Sequence, residues 1–331
     1  MASQAPLYLQ YGVNSFADEV YDKYKPLQST AHYPDPFCSE LRRALANYTG
    51  LHEDMILVAS GSDELIELYI RLHKARTPDL KVAFSPPTYP QYEAYTAREQ
   101  VTCILLPHER ATITADLVKN MDGDPANTVV MLDSPANPSG EIVSRQQFLG
   151  LLDAGFQVFA DEAYYEFHGE TMADYIATYP KQLVVSRSLS KFAAMAGSRV
   201  GYLLADPGVI ADFRGSQLFF NVNSAGQHRA AYALQHTDGF HTAIARMRQA
   251  KQQVDAAIGS LGVYDVFPSL DMYTIFKHRI MPTEQLHQSL QKKHGIYTAH
   301  FPKFKGHDVI RSTVLSPSLM QRLVKALGDY A

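Results

Sequence analysis

Ser186-Arg187-Ser188-Leu189-Ser190-Lys191-Phe192-Ala193-Ala194-Met195-Ala196-Gly197-Ser198-Arg199-Val200-Gly201-Tyr202 is the stretch on which the reading turns. The apolar run Leu183-Val184-Val185 ahead of it reads as a buried strand. Hydroxyls follow, then a lysine, then small residues and an arginine eight positions after the lysine. A lysine at a strand end is placed for imine chemistry, because a desolvated amine gives up its proton more readily. Ser188, Ser190 and Arg199 are donors that suit a phosphate. An aldehyde that carries a phosphate, such as pyridoxal 5'-phosphate (PLP), uses every one of these groups. A surface lysine in a serine-rich turn is the plain alternative, and this segment alone leaves both open.

Outward from this stretch, strands and helices alternate. Residues 36–48 have the pattern of an amphipathic helix, with Leu41, Ala44, Leu45 and Tyr48 on one face and Gly50 as its stop. Apolar runs at 55–59, 82–84, 101–106, 128–132 and 157–160 read as strands, with helices after 61, near 88–98 and from about 145 to 152. Continuous apolar strands separated by helices indicate a mainly parallel sheet covered on both faces. After about residue 222 the pattern changes. Residues 224–259 lack proline and read as one long helix or two abutting ones; short strands, a helix at 283–294, a strand near 309–314 and a last helix from 318 to 326 follow. The expected organisation is a large domain over 28–223 and a small α+β domain made of 1–27 and 224–331, joined by the long helix.

Four further segments carry chemistry, and all fall at or just after strand ends, where open α/β sheets bind ligands. Gly61-Ser62-Asp63-Glu64 opens a helix, whose free N–H groups suit an anion, although Ser62 or Asp63 also reads as an ordinary N-cap. Ser134-Pro135-Ala136-Asn137-Pro138-Ser139-Gly140 holds Asn137 between two prolines; a fixed amide can donate to a phenolate oxygen, and a Pro/Gly turn is the simpler account. Asp161-Glu162-Ala163-Tyr164 ends a buried strand in a carboxylate, which needs a partner; a protonated pyridine nitrogen is one, a metal or a helix start another. Val309-Ile310-Arg311-Ser312-Thr313-Val314 places an arginine inside an apolar strand, where it needs a substrate carboxylate or a structural acid.

The bulk of the chain excludes several classes. Its 331 residues are 46% hydrophobic, enough for a real core, and carry a net charge of −4 without an extended basic run. A nucleic-acid partner is therefore not expected. Cys38 and Cys103 stand apart without metal-ligand spacing, which fits a reducing compartment, and no metal site is expected. No run approaches the ~18 apolar residues of a membrane span, and no secretory leader pattern opens the chain. The expectation is a cytoplasmic protein.

In order along the chain, the GSDE helix start, Ser85-Pro86-Pro87-Thr88-Tyr89, the N-P-S-G loop, D-E-A-Y, S-L-S-K, the arginine eight residues on and the late I-R-S-T resemble a fold-type I PLP-dependent aminotransferase of class I/II. His32-Tyr33-Pro34-Asp35-Pro36 is similar to the histidinol-phosphate aminotransferase branch. The resemblance implies an α/β fold, with a mostly parallel seven-stranded sheet in the large domain. It implies that Lys191 carries PLP as an imine and shuttles the proton, and that Asp161 pairs with the ring nitrogen. Asn137 and Tyr164 would hold the 3'-oxygen, and Tyr89 would stack on the ring. Ser62, Asp63, Ser188, Ser190 and Arg199 would hold the phosphate. Tyr33 would reach that phosphate from a neighbouring subunit, which implies a homodimer. Arg311 would grip the α-carboxylate of an amino donor, with a 2-oxo acid as acceptor.

The chain departs from that family in places. Only Asn14 in Leu9–Phe16 is similar to the usual opening motif, and Gly295-Ile296-Tyr297-Thr298-Ala299-His300 lacks the arginine of the corresponding family strand. His300 and Lys303 are the candidate replacements, though neither offers a bidentate fork. Amino acids are accordingly expected to be better donors than histidinol phosphate. A decarboxylase similar to threonine-phosphate decarboxylase is the alternative activity on the same scaffold, separable by its lack of a 2-oxo acid requirement.

Overall fold

The computed structural model describes residues 5–29 and 31–331. In chain order its strands are Leu7–Tyr8 (β1), Ile56–Ala59 (β2), Lys81–Phe84 (β3), Thr102–Leu105 (β4), Thr128–Asp133 (β5), Gln157–Asp161 (β6), Leu183–Ser188 (β7), Gly201–Leu204 (β8), Tyr264–Phe267 (β9), Tyr273–His278 (β10), Ile296–Tyr297 (β11), Ala299–Phe304 (β12) and His307–Thr313 (β13). Its α-helices are Ser39–Thr49 (α1), Ser62–Arg76 (α2), Gln91–Arg98 (α3), Ala115–Asn120 (α4), Arg145–Asp153 (α5), Pro207–Ser216 (α6), Ser224–Leu234 (α7), Thr237–Ser260 (α8), Thr283–His294 (α9) and Pro317–Gly328 (α10).

Two compact units are formed. The larger takes residues 23–137 and 141–237, and the smaller takes the described residues up to Asp22, 138–140 and 238–331. The divisions expected from the sequence, after 27 and after 223, thus fall after 22 and after 237. The second shift has a physical cause. α7 packs on α1, Gln227 donates to the Asp35 carbonyl, and Tyr24 meets the His228 ring, so this helix belongs to the larger core.

The larger unit is built on a seven-stranded sheet in the order β2-β8-β7-β6-β5-β3-β4. β7, β6, β5, β3 and β4 run parallel; β8 is antiparallel to both of its neighbours, so β2 runs in the same direction as β7. The residues of β2, β5, β7 and β8 are buried throughout, as both faces are covered. Each Val, Leu or Phe so buried contributes about 1.5–3 kcal/mol. This topology brings the carboxyl ends of β2, β3, β5, β6 and β7, and the amino end of β8, to one edge of the sheet. The smaller unit holds the sheet β12-β13-β10-β9, antiparallel throughout, and the short parallel pair β1-β11.

Local chemistry moved several expected boundaries. The helix expected from 36 begins at Ser39, because the Asp35 carboxylate accepts from the N–H groups of Phe37 and Ser39 and holds that turn, with Cys38 left-handed at φ 49°. Gly50 ends α1 in the left-handed conformation, its N–H bonded to the Ala46 carbonyl. The stretch 224–259 is two helices, α7 and α8. β8 and α6 carry no signal that singled them out in the sequence reading. Among the described residues no helix is long and apolar enough to cross a membrane.

Candidate active site

An open cleft of about 600 Å³ lies at that strand edge in the larger unit. Its walls bring together Lys191, Asp161, Asn137, Tyr164, Tyr89, Ser62, Asp63, Ser188, Ser190 and Arg199, residues far apart in the sequence. Asp133, Ala163 and Ala196 complete the lining.

The lysine arm follows from how β7 turns into β8. The Leu189 N–H bonds the Val200 carbonyl at 3.1 Å, and the Ser190 N–H donates to Ser188 Oγ at 3.2 Å. Within this connection Ala194 and Arg199 both have positive φ, 51° and 54°, the strain that non-glycine residues tolerate where surrounding structure imposes it. Lys191 Nζ stands 5.8 Å from the centre of the Tyr164 ring.

At the other end of the cleft, Arg199 lies against the turn that starts α2. A Cβ on Gly61 (φ 80°) would meet the Arg199 Nη2 at 2.4 Å, and a Cβ on Gly201 would meet the Ser62 nitrogen at 2.5 Å. Only glycine permits this close approach of arginine, helix N-terminus and β8. Asp63 accepts from Arg199 Nη2 at 2.8 Å and from the Tyr89 hydroxyl at 2.7 Å. Its carboxylate therefore orients those two groups, while Ser62 and the first N–H groups of α2 supply the anion-attracting end. Burial, followed by the Asp63 bond, raises the Tyr89 phenol well above its ordinary value, so it stays protonated.

Asp161 ends β6 and is buried. Its Oδ2 accepts from the Tyr92 hydroxyl at 2.7 Å and its Oδ1 from the Ala163 N–H at 3.1 Å. Among the described residues it has no ion-pair partner. Loss of water pushes its pKa up to about 7; the neighbouring Asp133 adds to the rise and the Tyr92 bond opposes it. Asp133 stands opposite Asp161 in the β5–β6 register. It is matched by the buried Arg110, whose Nη2 lies 2.7 Å from Oδ1 as an ion pair, and its Oδ2 accepts from the Asn137 N–H at 2.9 Å. Arg110 is fixed in turn by the carbonyls of Asp133, Ser85 and Pro87. The next residue along β6, Glu162, is paired with Arg187 at 2.9 Å and also accepts from Thr171 and the Met172 N–H. The Arg187 guanidinium lies 3.6 Å over the Tyr165 ring.

Two expected site residues lie elsewhere. Tyr33, 82% exposed, stacks on Phe220 at 4.7 Å and does not line the cleft of its own chain. Arg311 belongs to the smaller unit. There it sits on β13 between the rings of Tyr273 (4.4 Å) and Phe301 (4.9 Å) and donates to the Gln10 carbonyl at 2.6 Å. Its cross-strand partners are Ala299 on β12 and Ile275 on β10. His300 points to the opposite face of β12, where it meets Glu284 (2.8 Å) and Asp308 (2.5 Å). Lys303 is exposed, in the stretch where the β12–β13 register slips.

The sequence reading missed Tyr92, Arg110, Asp133 and Arg187. Arg187 had a signal, a charge inside the buried run Leu183–Ser188, and so did Asp133, which closes an apolar strand as Asp161 does. Tyr92 and Arg110 had none.

The sequence pattern described as "Aminotransferase class I and II" matches residues 15–327. A histidinol-phosphate aminotransferase of Dehalococcoides mccartyi is 30% identical over 90% of this chain and 82% of its own length. Among solved structures, the histidinol-phosphate aminotransferase of Sinorhizobium meliloti in complex with pyridoxal-5'-phosphate superposes with a TM-score of 0.81 at 21% identity, covering 98% of this chain and 90% of that one. The L-threonine-O-3-phosphate decarboxylase of Porphyromonas gingivalis superposes equally well, with a TM-score of 0.81 at 20% identity over 98% and 99% of the two chains. The fold is thus shared by two reaction types and does not choose between them.

Proposed function

The chain belongs to the aminotransferase class I and II family and is a PLP-dependent aminotransferase; we propose that its preferred amino donor is a free α-amino acid, held by Arg311, with a 2-oxo acid as acceptor. The observation that carries the assignment of the site is the meeting of Lys191, a buried carboxylate with no cation on it among the described residues, and an anion-attracting end in one cleft. These residues fit the cofactor. Asp161 matches a protonated ring nitrogen, Asn137 and Tyr164 a phenolate oxygen, and Tyr89 a ring face. Ser62, Ser188, Ser190 and Arg199 match a phosphate, with the Asp63 carboxylate steering Arg199 and Tyr89.

When bound, PLP supplies an aldehyde carbon for imine formation and a ring that takes up an electron pair. Lys191 supplies the amine for the covalent link. With that link exchanged for the donor's, its Nζ would be the base that takes up and holds the proton of the donor Cα. Asp161 would stand against the ring nitrogen as a carboxylate and so would favour the protonated ring. Borohydride treatment should fix PLP on Lys191. Lys191→Ala should fold and lose transamination; an adduct on another lysine would overturn the assignment.

The donor preference is supported by the smaller unit. Facing Arg311 across the strands are Ala299 and an aromatic ring, whereas His300 is turned away and held by two carboxylates. A phosphomonoester there would meet one guanidinium, while a carboxylate needs only one. In a single-turnover screen, amino acids should outperform histidinol phosphate in kcat/KM. Histidinol phosphate as the best donor would defeat the proposal.

We further propose a cytoplasmic homodimer in which each Tyr33 serves the other subunit's phosphate site. Its support is the exposed apolar side chains of Tyr33, Phe37, Leu218 and Phe219, which are 53–82% exposed residue by residue. Light scattering on the active enzyme tests it, and a fully active monomer rules it out.

A further inference from the structure

The Asp161 carboxylate is held by two groups, and one of them is a side chain with no role of its own in the reaction. Tyr92, on α3, is completely buried. Its hydroxyl donates to Asp161 Oδ2 at 2.7 Å. Its ring is packed edge-on against Phe84 and Tyr89, at 5.9 Å and 6.3 Å between centres. The hydroxyl is thus aimed by a rigid core rather than by a loop.

We propose that Tyr92 is a positioning residue for the cofactor: through its hydroxyl it fixes the Asp161 carboxylate in one orientation and keeps it anionic toward the ring nitrogen. This rests on the PLP reading of the cleft given above. The argument is one of competing charges. Asp133 stands beside Asp161 at the end of the next strand and repels its charge, and Asp63 on α2 adds to that repulsion. Arg110 answers Asp133 directly, and Arg199 answers Asp63. For Asp161 the protein supplies two neutral donors, the Ala163 N–H on Oδ1 and the Tyr92 O–H on Oδ2. A donor to the charged form favours that form. Burial and the adjacent carboxylates raise the Tyr92 phenol well above its ordinary value, so it remains a donor at any working pH. The Ala163 bond belongs to the backbone and cannot be varied by substitution, which leaves Tyr92 as the side chain that tunes the aspartate.

Tyr92→Phe keeps the ring and deletes only the donor. The test reconstitutes the full-length variant with PLP and follows the absorbance of the bound cofactor through a pH titration, alongside thermal melting and steady-state kinetics. With a weaker Asp161 the ring nitrogen holds its proton less firmly, and the imine nitrogen then keeps its own proton to higher pH. The expected result is a rise of at least about half a pH unit in the midpoint of the absorbance change and a several-fold fall in kcat, with KM little altered. A purely structural tyrosine would lower the melting temperature and leave the midpoint in place; that result overturns the proposal. Should Tyr92→Phe fold poorly, 3-fluorotyrosine at position 92, which keeps the ring and the hydroxyl and makes the phenol a stronger donor, should move the midpoint the opposite way, downward, and an unmoved midpoint with the cofactor bound also overturns it. A parent protein whose Lys191 takes up no PLP defeats the underlying reading itself, an outcome distinct from an unchanged midpoint in a loaded variant.

Discussion

Asp161 and Glu162 are neighbours in sequence, both buried, and the protein treats their charges in opposite ways. Glu162 receives a buried arginine, a threonine hydroxyl and a backbone N–H. Asp161 receives a tyrosine hydroxyl and a backbone N–H, and among the described residues no cation. Asp133, one strand away, is treated like Glu162, with Arg110 as its partner. Carboxylates matched by arginine hold the strand ends together. The one left unmatched is reserved for a cation that arrives from outside, and until then burial disfavours its charged form.

The largest expected effect comes from breaking the matched pair. Arg187→Met leaves the buried Glu162 and the half-buried Glu166 beside it without their nearby cation, and loss of water already raises the pKa of both, Glu166 to about 7. Removing one partner of such a pair costs about 3–5 kcal/mol, which urea unfolding measures. A near-neutral result would show that the pair is not what holds this corner.

Asp161→Asn should act in the reverse sense on stability. Its folded pKa of about 7 lies above its ordinary 3.8, so the folded state holds the proton more firmly between those values. The cofactor-free protein should therefore lose stability as pH rises from 4 through 7, by up to about 4 kcal/mol. Asp161→Asn should flatten that slope and stabilise the cofactor-free protein at pH 8, while kcat of the loaded enzyme falls roughly 100-fold or more. An unchanged slope, or a near-normal rate with PLP bound, would erase the contrast with Glu162.

Gly201→Ala probes the phosphate end alone. Its Cβ would press on the Ser62 nitrogen at 2.5 Å, a backbone contact that has to open. A loss of about 1–3 kcal/mol is expected, with weaker PLP binding and an unaltered pH slope. Arg311→Lys is the mildest: it removes the fork but keeps the charge, and KM for amino-acid donors should rise about tenfold, or 1.4 kcal/mol. Unchanged amino-acid turnover would remove Arg311 from substrate recognition.

These outcomes also mark what the sequence makes legible. The seven-stranded, mostly parallel sheet follows from continuous apolar strands and the family resemblance, and Lys191, Asp161, Asn137, Tyr164 and Arg199 stand out because each closes a strand or sits in a rigid turn. The supports of these residues do not stand out. Arg110 reaches Asp133 from a turn, and Tyr92 reaches Asp161 from α3; such partnerships are set by sheet register and helix docking, which no local spacing encodes. The antiparallel β8 is hidden for the same reason, since buried strands of either direction share one apolar pattern. α1 starts later than the apolar pattern suggests because Cys38 takes the left-handed conformation, in a turn held by the Asp35 carboxylate.

The reversal of direction at β8 also sets which parts of this chain can change length. Lys191 and Arg199 lie in one connection between antiparallel neighbours, closed at its base by the Leu189–Val200 hydrogen bond. The spacing between the covalent anchor and the guanidinium is therefore fixed by a closed loop, not by how distant segments dock. An insertion of even one residue between Phe192 and Ser198 would shift both groups at once, whereas the connection that carries α4, between β4 and β5, bears no residue that lines the cleft. Homologous chains of differing length should vary in the second segment and keep the first constant.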